Sequence, residues 1–333
     1  MTAKALYLVI GSGSIARRHM RNLRALYPDA DVGCVSASGR ALSADDVEPG
    51  VVRFLTLDEA MSASPVFAVV ASPAPAHVAH ARKLLETEIP VLIEKPLSDS
   101  METLAPSLDE LMRHRDKIEI AYNLRFMPSA VCLRQAVVDG SVGRVLSVSA
   151  EVGQYLPDWR PGSDYRKQVS AQNALGGGVL RELSHEIDYL VWIFGRPDSV
   201  FCIANRVSDL EIDVEDVVDA FLIHDNGPVI NLHMDFLQRS VTRRCKVIGE
   251  TGTLVWDMLK NTVVVQRSGG EETTLYSDAA YDRNAMYIDE LVHFAKVASG
   301  ASAPFVDIGQ AADVLRLIDA MRQSAATHQQ VAI

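Results

Sequence analysis

Four cysteines in 333 residues are too few and too scattered to make a disulfide framework. Cys34, Cys132, Cys202 and Cys245 include no CxxC pair, which also argues against a zinc knuckle. That sparse usage fits a reducing compartment, and a cytoplasmic location is expected. Positive charge is not in excess: 32 Lys and Arg stand against 43 Asp and Glu, a formal net charge of −11. So acidic a chain is a poor partner for nucleic acid or for an anionic membrane surface. No apolar run approaches the roughly 18 to 20 residues that span a bilayer. From Met1 to Gly11 there is one lysine and no small-residue cleavage site, so no signal peptide is expected. Internal repeats and low-complexity linkers are missing as well. What is present is 48% apolar residues, ample for a core, over a length that predicts about two domains.

The first 122 residues alternate short apolar runs with helical patterns. Ala5 to Ile10, Val32 to Val35, Val51 to Leu55, Pro65 to Ala71, Val91 to Ile93 and Ile118 to Tyr122 read as strands. They lack polar alternation and are separated by helical stretches, the pattern of a parallel sheet covered on both faces. The expectation is a doubly wound α/β domain over 1–122. Residues 123–333 change rhythm. Arg144 to Val152 alternates like a strand with one wet face, and Asp225-Asn226-Gly227-Pro228 marks a hairpin turn between two more alternating runs. Further hairpins are expected at Glu250-Thr251-Gly252 and Ser268-Gly269-Gly270. One long helix over Leu180 to Phe194 and two C-terminal helices, Ala285 to Ser299 and Ile308 to Ala326, complete an α+β domain with an open, mostly antiparallel sheet.

Gly11-Ser12-Gly13-Ser14-Ile15-Ala16 is GxGxxA after a strand and at the start of a helix. The first glycine permits the tight turn, and the second lets backbone N–H groups approach a pyrophosphate at the helix N-terminus. An enzyme using NAD usually carries an acid about 20 residues further on, bonded to the ribose 2′-hydroxyl. Here the second strand runs into Ser36-Ala37-Ser38-Gly39-Arg40, with two hydroxyls and a cation but no carboxylate. That composition suits a 2′-phosphate and favours NADP over NAD.

Several motifs in order then carry a resemblance: GxGxxA, Ala71-Ser72-Pro73 with His77, Glu94-Lys95-Pro96, Asn123-Leu124-Arg125-Phe126, and Gly176-Gly177-Gly178 ahead of His185-Glu186-Ile187-Asp188. The chain resembles the glucose–fructose oxidoreductase / inositol dehydrogenase (Gfo/Idh/MocA) family along nearly its whole length. The resemblance implies a Rossmann domain, a C-terminal α/β domain with an open sheet, and hydride transfer between NAD(P) and a sugar-like alcohol. It further implies that Ala71, Ser72, Pro73, His77, Glu94, Lys95, Asn123 and Arg125 lie at the cofactor. Lys95 becomes the main acid/base, at a strand's carboxyl end where ligands of open α/β sheets bind. His185 assists. Many relatives place an Asp four residues before this histidine, where Arg181 stands here, and Glu182 is the nearest acid. Substrate contacts are expected from Trp159, Arg160 and Tyr165, where aromatics and arginine suit a polyol ring with an anionic group, and from Tyr287 by family position.

His77 and His80 are spaced three apart, but no further Cys or His supports a metal, so none is expected. Asn231, His233 and Asp235 alternate with apolar residues and read as one polar sheet face, at solvent or a subunit interface. The reading is an NAD(P)-dependent oxidoreductase acting on CH–OH groups of a sugar, sugar nucleotide or cyclitol, as a homodimer or homotetramer. Two alternatives stand beside it: redox-assisted cleavage of a glycosidic bond, and a non-catalytic cofactor or sugar sensor.

Overall fold

The computed structural model describes residues 4–333; the start of the leader reading, Met1 to Ala3, lies outside the described residues. By contacts the chain divides into two compact units. One runs to Asn123 and includes Asn284–Leu315, and the other comprises Leu124–Arg283 with Arg316–Ile333.

The first unit is a six-stranded parallel sheet in the order β3-β2-β1-β4-β5-β6. Its strands are β1 (Leu6–Ile10), β2 (Asp31–Val35), β3 (Val52–Arg53), β4 (Phe67–Val70), β5 (Val91–Glu94) and β6 (Ile118–Ala121). β1, β4, β5 and β6 are buried at every residue, the consequence of helices covering both faces. Those helices are α1 (Ser14–Leu26), α2 (Leu57–Ser62), α3 (His77–Leu85) and α4 (Met101–Arg113). β3 is shorter than its apolar run predicted, because at the sheet edge it has one neighbour and both its residues are exposed. Register aligns the carboxyl ends: Ile10 pairs with Val35 and Val70, Val70 with Ile93, and Glu94 with Ala121.

The helix α8 (Ala285–Ala298) packs here, although the sequence reading gave it to the other domain. Leu291, Phe294 and Val297 join the core beside Met20, Val69 and Leu92, and Phe294 meets Phe67 edge-on at 5.1 Å. Each fully buried apolar side chain of this kind contributes roughly 1.5–3 kcal/mol.

The second unit is a nine-stranded mixed sheet, β14-β13-β12-β11-β7-β10-β9-β8-β15, antiparallel except where β10 runs parallel to β7. In chain order these are β7 (Val145–Gly153), β8 (Ser199–Asn205), β9 (Val217–Ile223), β10 (Val229–Asp235), β11 (Thr242–Gly249), β12 (Thr253–Asp257), β13 (Thr262–Gln266), β14 (Glu272–Ser277) and β15 (Val331–Ala332). The three expected hairpins are present: Ile223 pairs with Val229, Ile248 with Thr253, and Gln266 with Glu272. β8 and the two-residue β15 were not anticipated. On the covered face lie α5 (Pro128–Val138) and α7 (Ser184–Phe194), where Trp256 donates to the Ser129 hydroxyl (3.0 Å) and meets Tyr189 edge-on at 5.2 Å. α6 (Val179–Glu182) precedes α7, so the single helix expected over Leu180–Phe194 is two, interrupted at Leu183. α9 (Ile308–Thr327) counts with the first unit up to Leu315 and with the second from Arg316.

The other sheet face is uncovered within this unit. Register sets Ile203, Asp219, His233, Glu151 and Arg244 in one row across it. Phe201, Phe221, Asn231, Ser149 and Lys246 form the next, with Ile203 and Phe221 nearly half exposed.

Candidate active site

In the first unit the site is built from the carboxyl ends of the strands. Gly11 leaves β1 with φ +118°, and a Cβ there would stand 2.5 Å from the Ala71 carbonyl oxygen, so only glycine lets the β1 and β4 turns approach so closely. Gly13 is the N-cap of α1, has no capping side chain, and would project a Cβ into open space. That uncapped N-terminus beside a glycine is a cradle into which a pyrophosphate fits. At the end of β2, the hydroxyls of Ser36 and Ser38 are 3.1 Å apart. Arg40 reaches back to within 3.4 Å of the Ser12 hydroxyl, while its guanidinium is gripped by Asp46 at 2.5 and 2.9 Å.

Lys95 follows β5, half-buried, ahead of Pro96. The turns after β4 and β5 are clamped by His77, whose ring nitrogens face the carbonyl oxygens of Ser72 (2.7 Å) and Pro96 (2.9 Å). Burial pushes that imidazole down from its usual pKa, against the opposing pull of the two carbonyls. His80, one turn on, is partly buried with Nδ1 3.0 Å from the Ser72 hydroxyl.

Glu94, next to Lys95 in the chain, belongs to a buried polar group of which sequence reasoning missed two members, His19 and Glu290. His19 on α1 donates from Nε2 to Glu94 (2.6 Å), and the Glu94 carboxylate also accepts from the Lys95 backbone N–H (3.3 Å). Glu290 on α8 is fully buried; burial raises its carboxyl well above the usual range, and the charges of Glu94 and Glu119 add to the rise. Tyr287, expected at the substrate, belongs to this first-unit group. Its ring lies under the Arg18 guanidinium at 4.4 Å and edge-on to His19, and it bonds Asn123. A signal for His19 existed: with Ala16, Met20 and Leu23 it occupies the i, i+3, i+4, i+7 stripe that faces the core.

In the second unit, Gly178 has φ +104° and a Cβ on it would meet the Glu215 carboxylate at 2.5 Å. Glu215 accepts from the Leu180 N–H (3.0 Å) and so caps α6. His185, on the first turn of α7, is partly exposed. Of the acids around it, Glu186 pairs with Arg243 (2.6 and 3.1 Å) and Asp188 with Arg125 (2.7 and 3.0 Å), both in the core. Burial raises the Asp188 pKa, and the Arg125 guanidinium opposes that rise. Arg125, read as a cofactor contact, is therefore held by Asp188 and lies 5.5 Å from the Trp192 ring. Glu182 is the partly exposed acid, accepting from the Ser170 hydroxyl (2.5 Å). Arg181 is buried, with its guanidinium on the Gly177 carbonyl (3.2 Å).

The expected substrate loop is tied both to itself and to the rest of the second unit. Trp159 donates to the Gln154 carbonyl (3.0 Å) and packs edge-on against Phe236 at 5.1 Å. Arg160 bonds Gln168, and the Tyr165 hydroxyl accepts from the Glu211 N–H (3.3 Å). On the uncovered sheet face His233 bridges Asp219 (2.8 Å) and Asp235 (3.0 Å), which raise its pKa to about 9. The four cysteines are free thiols. Among the described residues no helix is long and apolar enough to cross a membrane, and no group of three metal-ligating side chains converges.

Comparison with known proteins agrees with this fold. Residues 5–122 match the oxidoreductase family with an NAD-binding Rossmann fold, and residues 131–255 match the GFO/IDH/MocA C-terminal domain. The chain is 30% identical over 263 residues to inositol 2-dehydrogenase 2 of Paenarthrobacter aurescens, covering 74% of this chain and 73% of that protein. It is 27% identical to the putative oxidoreductase YteT of Bacillus subtilis over 146 residues, 43% of this chain and 34% of that larger protein. The fold matches that of a levoglucosan dehydrogenase solved with NADH and levoglucosan, at TM-score 0.83 and 19% identity over 99% of each chain. It likewise matches the WlbA dehydrogenase of Bordetella pertussis, solved with NADH and UDP-GlcNAcA, at TM-score 0.79 and 17% identity over 99% of each. With both domains matched in order, the chain belongs to the Gfo/Idh/MocA family of NAD-binding oxidoreductases.

Proposed function

We propose that the chain transfers a hydride between a nicotinamide dinucleotide and a secondary alcohol of a sugar, sugar nucleotide or cyclitol. The observation that carries this reading is the conjunction at the carboxyl edge of the first sheet: an uncapped glycine cradle, with Lys95 two strands away on a turn clamped by His77. The dinucleotide, when bound, supplies the hydride acceptor or donor. Residues Gly11 to Ala16 hold its pyrophosphate through backbone N–H groups. Ser36, Ser38 and Arg40 face its adenosine ribose, and on their composition we favour NADP. Ser72, His77 and Glu94 shape the floor beneath Lys95.

Lys95 takes the hydroxyl proton as the alcohol is oxidised and returns it in the reverse direction. His185 assists the proton transfer, with Glu182, three residues before it, as a second candidate acid. Trp159, Arg160 and Tyr165 contact the sugar. Free thiols fit a cytoplasmic enzyme. The uncovered sheet face, with Ile203 and Phe221 among its charges, fits a second copy of the chain.

The inositol and levoglucosan dehydrogenase relatives suggest the assay. NADP⁺ and NAD⁺ reduction is followed at 340 nm with myo-inositol, levoglucosan and hexose 6-phosphates. Reduction dependent on one of these alcohols supports the proposal. A protein that bound neither dinucleotide would overturn it.

A further inference from the structure

We infer that Asp46 is a cofactor-specificity residue, the built-in counter-ion that limits the preference of Arg40 for a 2′-phosphate; this rests on the dinucleotide reading above. The sequence shows no acid at the end of β2, yet the fold supplies one in space. Arg40 spans the gap between that strand end and the glycine loop, where the adenosine ribose of a bound dinucleotide lies. Its Nη2 is 3.4 Å from the Ser12 hydroxyl. Both terminal nitrogens are held by Asp46, Nη2 to Oδ1 at 2.5 Å and Nη1 to Oδ2 at 2.9 Å.

Asp46 is not a casual surface partner. It closes a capping box with Ser43, whose backbone N–H and hydroxyl each donate to Oδ2 at 2.8 Å. The segment around it is strapped to α1: Arg17 donates to the Asp45 carbonyl, Arg21 to the Glu48 carboxylate (2.8 Å), and Arg24 to the Pro49 carbonyl. The carboxylate therefore cannot swing away cheaply when a ligand arrives. The Arg40 guanidinium is about half exposed, so the pair adds little to stability. Its effect falls on whatever anion next approaches that guanidinium.

A 2′-phosphate must share Arg40 with Asp46 and lie near a fixed negative charge. A 2′-hydroxyl meets no such repulsion and finds a carboxylate that accepts its hydrogen bond. Asp46 thus weakens NADPH selectively and moves the enzyme toward using either cofactor, against the NADP preference that Ser36, Ser38 and Arg40 suggest by themselves.

The test is a fluorescence titration of cofactor-stripped enzyme with NADPH and NADH, for wild type, Asp46→Asn and Asp46→Ser. A thermal melt of each confirms folding, and the serine variant keeps a short polar side chain should asparagine disturb the turn. The inference predicts that either substitution tightens NADPH about tenfold relative to NADH, the size of one nearby unit charge. Arg40→Ala shifts the ratio the opposite way. An unchanged ratio in both folded Asp46 variants overturns the inference while leaving the dinucleotide reading intact. Failure of wild type to bind either nucleotide overturns both.

Discussion

His19 on the glycine-loop helix donates to Glu94 across 2.6 Å, in a site where His19 is fully buried, and so joins α1 to the end of β5, which Lys95 follows. Because Glu94 also accepts from the Lys95 backbone, the imidazole helps fix the direction in which the lysine leaves β5. Replacing His19 by alanine leaves a buried carboxylate short of a donor, a cost of about 2–3 kcal/mol. The expected outcome is a lower thermal midpoint together with a lower kcat, while nucleotide affinity changes little. His19→Gln, which keeps a donor, restores part of both. Equal kcat in all three proteins would show that the contact is structural only.

Arg125 and Asp188 form the corresponding buried pair of the second unit, with side chains 1% and 0% exposed. Removing one partner strands a charge in the core, which costs about 3–5 kcal/mol. Arg125→Ala and Asp188→Ala are each expected to lower the unfolding midpoint of this unit by several degrees in calorimetry. NADPH and NADH titrations of the folded Arg125 variant add a functional readout. Unchanged affinity means that the guanidinium serves the core, and a tenfold loss with an unchanged midpoint restores it to the cofactor.

The His233 bridge gives a pH dependence with a defined sign. Its folded pKa is raised from 6.5 to about 9, first by the Asp235 hydrogen bond and then, against partial burial, by Asp219. The stabilisation is fully present below pH 6.5 and is lost as pH rises through about 9. Thermal midpoints from pH 6 to 10 should therefore fall more in wild type than in His233→Gln. Parallel profiles contradict this assignment.

Much of the fold was legible because its signals are local. Apolar runs such as Phe67–Val70 are buried on both faces, GxGxxA sits on a strand–helix turn, and each hairpin carries its turn residues. Less legible was anything decided by a distant partner. α8 looks like a second-domain helix by position, yet Phe294 finds its place against Phe67, more than two hundred residues earlier. Leu183 gives no glycine or proline to announce the break between α6 and α7. Asp46 stands six residues beyond Arg40 and outside the spacing at which a ribose-binding acid is sought, so only the folded loop reveals it. Arg125 and Asp188 stand in two separate motifs, 63 residues apart, and only the fold shows them to be each other's counter-ions.

The central claim is that Lys95 moves the substrate proton beside a bound nicotinamide. Its most direct measurement compares wild type with Lys95→Ala in turnover of the best alcohol from the 340 nm screen, alongside NADPH and NADH titration of both. The account predicts a kcat lower by about 10²–10⁴-fold in the variant, with cofactor affinity retained. A Lys95→Ala enzyme that turns over at the wild-type rate contradicts it.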